Sequence, residues 1–161
     1  MVKRFHELGV KSICCRSIGY DHVDLEKARE LGMTNSHFTN PTGLDEEGHY
    51  STARDLALLA RACLAQETLA KMAATPSIAL EGRSFVNHNK LLWRYEGCVG
   101  LKTGYTQTAG RTLVSAASRN GMTLIAVTLD DPNDWADHAA LFDYGFSTYH
   151  METVLEAGEE V

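Results

Sequence analysis

The sequence predicts an α+β domain in which an antiparallel sheet of about three main strands is packed with helices. Two observations carry the prediction. Three β-leaning runs follow one another at residues 98–102, 110–118 and 122–129, and the tight-turn pair Asn120-Gly121 joins the last two. On either side lie stretches with apolar residues at helical spacing. Leu56, Leu59, Ala60, Cys63 and Leu64 come before, and Trp135, Ala139, Phe142 and Phe146 come after.

The elements follow in order. Residues 5–32 read as a strand and a helix. Val10 to Cys15 leans to β, Gly19-Tyr20-Asp21 turns, Asp21 or Asp24 caps a helix to Leu31, and Gly32 ends it. Residues 33–50, rich in Thr, Asn, Gly and Pro, form a long ordered loop, in which Asn40-Pro41-Thr42-Gly43 has structural turn chemistry. Thr52-Ala53-Arg54-Asp55 starts a helix whose apolar face is read as core. A second helix at about 67–74 stops before Pro76, and residues 77–80 and 84–86 alternate as a weak hairpin around Glu81-Gly82-Arg83. The run 124–129 is almost continuously apolar, which predicts a strand covered on both faces. Asp130 to Asp134 stops it and caps the last helix, whose aromatic stripe packs on the sheet.

Composition excludes several functions. The 161 residues suffice for one domain with a sizeable core. A net charge of −6 gives nucleic acid no electrostatic footprint. No apolar run approaches the roughly 20 residues of a membrane span, and the start has no apolar segment of signal-peptide length. Cys14, Cys15, Cys63 and Cys98 match no zinc or redox spacing and read as reduced, mostly buried thiols. The seven histidines show no metal-ligand spacing, so no metal is expected.

Ordered blocks of residues carry a resemblance. They are residues 30–44, then His49-Tyr50-Ser51-Thr52-Ala53-Arg54-Asp55-Leu56-Ala57, Asn87-His88-Asn89-Lys90-Leu91-Leu92, Lys102-Thr103-Gly104 with its flanks, and residues 121–127. Together they resemble the later half of the penicillin-binding serine-type D-alanyl-D-alanine carboxypeptidases. The resemblance implies a partial β-lactamase/transpeptidase-like fold over residues 32–161. Residues 1–31 form a separate segment. There, residues 9–25 resemble the substrate domain of D-isomer-specific 2-hydroxyacid dehydrogenases, whose Arg-Ser-x-Gly loop is echoed by Arg16-Ser17-Ile18-Gly19. No Gly-x-Gly-x-x-Gly follows a strand, so no nicotinamide cofactor, and no other cofactor, is expected.

The resemblance implies acyl transfer through a serine ester on peptidoglycan stem peptides, with β-lactams as alternative ligands. Lys102 offers a cation to the peptide's terminal carboxylate, Thr103 a hydroxyl donor, and Thr106 assists. Gly104 lets a peptide lie along the strand edge, and the Tyr105 N–H is one of two oxyanion donors. His88 and Asn89 lie beside the cleft, and Arg111 reads as surface charge. The nucleophile is missing: no serine among the 161 residues has Lys three positions on, and Ser118-Arg119-Asn120, the one Ser-x-Asn, sits after the Lys-Thr-Gly block at a turn. The chain is therefore expected to be inert as written, with self-association through an exposed sheet edge. The alternatives are a non-catalytic D-Ala-D-Ala peptide binder and a fragment of a dehydrogenase fusion. The family works in the cell envelope, whereas the sequence as written, without an export signal, reads as cytoplasmic.

Overall fold

A computed structural model describes residues 30–40 and 42–152. Almost all of the dehydrogenase-like start, including its strand, its cap and Cys14-Cys15, lies outside the described residues. Helix α1 (Ala53–Leu64) begins at Thr52, whose hydroxyl accepts the Asp55 N–H at 3.2 Å. Helix α2 (Glu67–Ala74) follows after a two-residue break. Strands β1 (Ser77–Leu80) and β2 (Arg83–Val86) form a separate two-stranded hairpin. Its turn residues Glu81 and Gly82 both have positive φ, 50° and 76°, as a two-residue hairpin turn requires. A short helix α3 (Leu91–Arg94) leads into strands β3 (Cys98–Thr106), β4 (Gly110–Arg119) and β5 (Met122–Thr128), and α4 (Asp134–Thr148) completes the described chain.

The main sheet has the order β3-β4-β5 and is antiparallel throughout. β3 runs further than the sequence predicts. It continues through Thr106 because Thr103 to Thr106 pair with Leu113 to Gly110. Gly104 is thus an interior strand residue with extended backbone rather than a turn glycine. Directly paired residues share a face. Leu113, Ser115 and Ala117 point one way; Leu113 and Ala117 join Leu91, Ala126 and Phe142 in the core under α4, where Ser115 meets His138. Thr112, Val114 and Ala116 point toward α1.

One expectation is met and one is corrected here: β5 is covered by α1 on one face and by α4 on the other, as its apolar run predicts. The strand with fully buried residues facing both ways is the central β4, where Ala116 and Ala117 are both 0% exposed. β5 is an outer strand with one fully buried residue, Ala126, and otherwise mostly half-buried ones. Its apolar run reflects contact with α1 on one side and α4 on the other, and among the described residues no strand pairs along its outer edge. The predicted core face of α1 is different: Ala60 is buried, whereas Leu56, Leu59 and Cys63 are half-buried and line an open groove. The aromatic stripe of α4 does pack on the sheet, with Phe142 buried and Trp135 and Phe146 against it.

The long loop 33–50 packs on itself. His37 and Tyr50 form an isolated antiparallel bridge. The Asn40 side-chain oxygen accepts the Thr42 and Gly43 N–H groups at 3.1 and 2.9 Å, while its amide donates to Leu44 O and Glu46 Oε2. This is the local side-chain-to-backbone chemistry expected of Asn in a turn.

Candidate functional site

A groove of about 990 Å³ runs between the loop and α1 on one side and the outer edge of β3 on the other. Its walls are chemically distinct. Leu56, Leu59, Ala60 and Cys63 make one apolar wall, and residues 101–106 make the other. Register divides the second wall by face: Lys102, Gly104 and Thr106 pair with Val114, Thr112 and Gly110, whereas Thr103 and Tyr105 pair with Leu113 and Arg111. All of them still line one groove, because β3 is an outer strand of the sheet among the described residues and its two faces meet along that edge.

Lys102 is exposed and its ammonium donates to the carbonyl of Thr103. Among the described residues no carboxylate pairs with it. Displacement of water by surrounding protein lowers its pKa from the ordinary lysine value. Tyr105 is 71% exposed, a large apolar ring at the mouth. Thr106 is engaged inside the protein. Its hydroxyl donates to Asp45 Oδ1 at 2.8 Å and accepts the Ala109 N–H at 3.0 Å, which ties the 33–50 loop to the end of β3.

The other predicted residues divide. His88 is exposed and lines the groove, as do Asn87 and Lys90. Asn89 does not line it; it is 0% exposed, and its side-chain oxygen accepts the Leu91 N–H at 3.1 Å. Asn87 holds the hairpin, donating to Ala73 O and Thr75 O and accepting the Asn89 N–H. These amides satisfy backbone groups, the structural work expected of Asn in such a loop.

Arg111 corrects the reading as surface charge. Its Nε and Nη2 donate to Asp134 at 3.1, 2.7 and 2.8 Å, and Asp134 is 3% exposed. Its guanidinium carbon lies 5.5 Å from the centre of the Trp135 ring, and all three residues line the groove. A signal for this was present in the sequence. Arg111 is in phase with Leu113, Ser115 and Ala117, and a charge on a buried strand face requires a buried partner. Asp134, read as a cap, is that partner.

The match to a family model decides the identity. The D-alanyl-D-alanine carboxypeptidase model matches residues 23–133. The chain belongs to the D-alanyl-D-alanine carboxypeptidase family. Among its relatives, D-alanyl-D-alanine carboxypeptidase DacF of Bacillus subtilis is 37% identical over 144 residues, covering 84% of this chain and 37% of the relative. DacB2 of Mycobacterium tuberculosis is 40% identical over 133 residues, 75% of this chain and 46% of the relative. The chain thus spans less than half the length of these two curated relatives. Solved structures agree on the fold. A D-alanyl-D-alanine carboxypeptidase from Mycobacterium tuberculosis superposes with TM-score 0.69 at 40% identity, covering 77% of this chain and 52% of that one. Penicillin-binding protein D2 from Listeria monocytogenes, solved in a cefotaxime-bound form, gives TM-score 0.69 at 30% identity over 76% of this chain and 53% of that one. The carboxypeptidase family match already begins at residue 23, and the dehydrogenase-like reading of residues 1–31 gains no support.

Proposed function

We propose that this chain forms the peptide-binding wall of a penicillin-sensitive D-Ala-D-Ala carboxypeptidase site for peptidoglycan stem peptides. One observation carries the reading. The outer edge of β3 opens on the groove, and the ammonium of Lys102, unpaired with any carboxylate among the described residues, stands beside it. A peptide adds to that edge as a further strand, its main chain recognised by backbone groups. Lys102 and the Thr103 hydroxyl take its terminal carboxylate, and the Tyr105 N–H stabilises charge on the scissile carbonyl oxygen.

Acyl transfer at this wall needs a serine with a basic neighbour. The nine serines here, Ser12, Ser17, Ser36, Ser51, Ser77, Ser84, Ser115, Ser118 and Ser147, all lack Lys three positions on. Ser51, followed by Arg54, has a group that stays protonated, and Ser115 is fully buried against His138. The 161 residues on their own therefore bind without cleaving; loss of a catalytic serine costs on the order of a millionfold in rate. A fluorescent penicillin mixed with the chain should leave no covalent adduct on a denaturing gel, and a stoichiometric adduct overturns this part of the reading. Diacetyl-Lys-D-Ala-D-Ala should bind reversibly, and Lys102→Ala should weaken it about tenfold. Equal affinity in the two proteins removes the assigned wall. The same free edge accepts a second copy of the chain, which sedimentation at rising concentration reads directly.

A further inference from the structure

We propose that Asp45 is a positioning residue of the groove. By holding the Thr106 hydroxyl, it fixes the loop 37–50 against the end of β3 and pre-orders the strand edge for a peptide. This rests on the peptide-binding reading above and names what keeps that edge in its binding geometry.

The loop is built to move as one piece. His37 and Tyr50 exchange backbone hydrogen bonds of 2.9 Å at its two ends. Between them the Thr39 hydroxyl donates to Glu46 Oε2 at 3.1 Å, and the Asn40 amide reaches the same oxygen at 2.8 Å. These bonds hold the loop to itself rather than to the sheet. Phe38, Asn40 and Leu44 carry it onto the groove.

Asp45 supplies a link to β3. Thr106 Oγ1 donates to Asp45 Oδ1 at 2.8 Å, across 61 positions of sequence. The direction of the bond is set, because the same oxygen accepts the Ala109 N–H at 3.0 Å and its own proton is left for the carboxylate. Thr106 is the last residue of β3 and is in phase with Lys102 and Gly104. Tyr105, whose N–H is assigned above to the scissile carbonyl, immediately precedes it. The bond therefore fixes the spacing between the loop wall and the strand wall beside the proposed peptide path. Asp45 is exposed and Thr106 half-buried, so the bond contributes little to folding. A wall held in place before the ligand arrives, by contrast, loses less entropy on binding.

Charge gives the proposal a sign of its own. A carboxylate beside the groove repels a peptide that ends in one. Removing Asp45 strengthens binding if only its charge matters, and weakens binding if it is the clasp.

The test titrates diacetyl-Lys-D-Ala-D-Ala calorimetrically into the 161-residue chain and its variants, each with a urea unfolding curve. Asp45→Ala should weaken binding about fivefold with an overlapping unfolding curve. Asp45→Asn keeps an oxygen for the Thr106 hydroxyl and drops the charge, so it should bind at least as tightly as the wild type. Thr106→Val should weaken binding as much as Asp45→Ala, and the double variant no further, since the two act through one bond. Without ligand, amide exchange across residues 37–50 should rise in Asp45→Ala, while exchange in β4 stays the same. Unchanged or tighter binding by Asp45→Ala overturns the proposal. So do equal losses in Asp45→Ala and Asp45→Asn, additive losses in the double variant, unaltered exchange in the loop, or a loss of affinity matched by a loss of stability. Unchanged affinity in Lys102→Ala instead overturns the binding wall, and absence of binding by the wild type overturns both.

Discussion

The two faces of the β3–β4–β5 sheet are built from the same three strands and end in opposite ways. On the α4 face, Leu113, Ala117, Ala126 and Phe142 close into a core from which water is excluded. On the α1 face, Thr112 and Val114 meet Leu56, Leu59 and Cys63 across an open groove. Alternation along β4 puts side chains of comparable apolarity on both sides, so hydrophobicity does not separate the faces. The filling does: α4 presents Phe142 and the flanking Trp135 and Phe146 to its side, whereas α1 stands off from β3. Closed packing stabilises the fold, and the unfilled space is what leaves the edge of β3 open to a ligand.

The largest effect should come from breaking the closed face. Phe142 is 1% exposed, packed edge-on to His138 and tilted against Tyr95. Phe142→Ala should cost about 3–5 kcal/mol in urea unfolding, the range for large-to-small changes in a core. Leu59→Ala on the half-buried groove wall should cost about 1 kcal/mol, since less surface leaves water and no closed cavity forms. Comparable losses at the two positions mean that the groove is packed against something in solution.

A second way to sharpen the contrast is pH. His138 is 0% exposed on the closed face, with Nδ1 against the Ser115 hydroxyl and Nε2 3.1 Å from Thr128 Oγ1. Burial disfavours the imidazolium and lowers the pKa from the ordinary 6.5, while Asp134, Asp131 and Asp137 pull the other way. The unfolded chain then takes up a proton that the folded chain refuses. Stability therefore falls as pH drops below about 6.5, with a limiting slope of about 1.4 kcal/mol per pH unit, until pH passes below the folded-state pKa. His138→Gln, which keeps a polar partner for Ser115 and Thr128, should flatten this part of the profile in denaturant titrations at stepped pH. An unchanged slope assigns the acid sensitivity to another group.

The contrast also explains what the sequence shows and what it hides. Caps, turns and helix spans were legible because they depend on neighbours in the chain: Thr52 on Asp55, Asn120-Gly121 with φ of 49° and 79°, α2 from Glu67 to Ala74. The Lys-Thr-Gly strand was legible as a motif, and its extension to Thr106 was not, because that depends on pairing with Gly110 to Leu113. Periodicity placed Leu56, Leu59 and Cys63 on one face of α1. It could not say whether that face meets a packed layer or a groove, since period records direction and not the distance to the next element. The Arg111–Asp134 pair spans 23 positions, and each residue has an ordinary local explanation, a surface charge and a helix cap.

The smallest effect on stability belongs to Gly104, where the two faces meet at the free edge. Its backbone is extended, and an added Cβ would find its nearest neighbour at 3.7 Å, the Thr112 Cβ, in ordinary contact. Nothing within the described protein therefore demands glycine, and Gly104→Ala should leave stability within about 0.5 kcal/mol or raise it slightly by restricting the unfolded chain. Its methyl would project on the same side as Lys102 and Thr106, into the groove. If a peptide main chain lies against this strand, that methyl occupies the contact distance and should weaken diacetyl-Lys-D-Ala-D-Ala binding about tenfold, with an unchanged unfolding curve. Full retention of binding by a well-folded Gly104→Ala protein would place the ligand away from this stretch of β3. The glycine would then have no role in recognition that the fold explains.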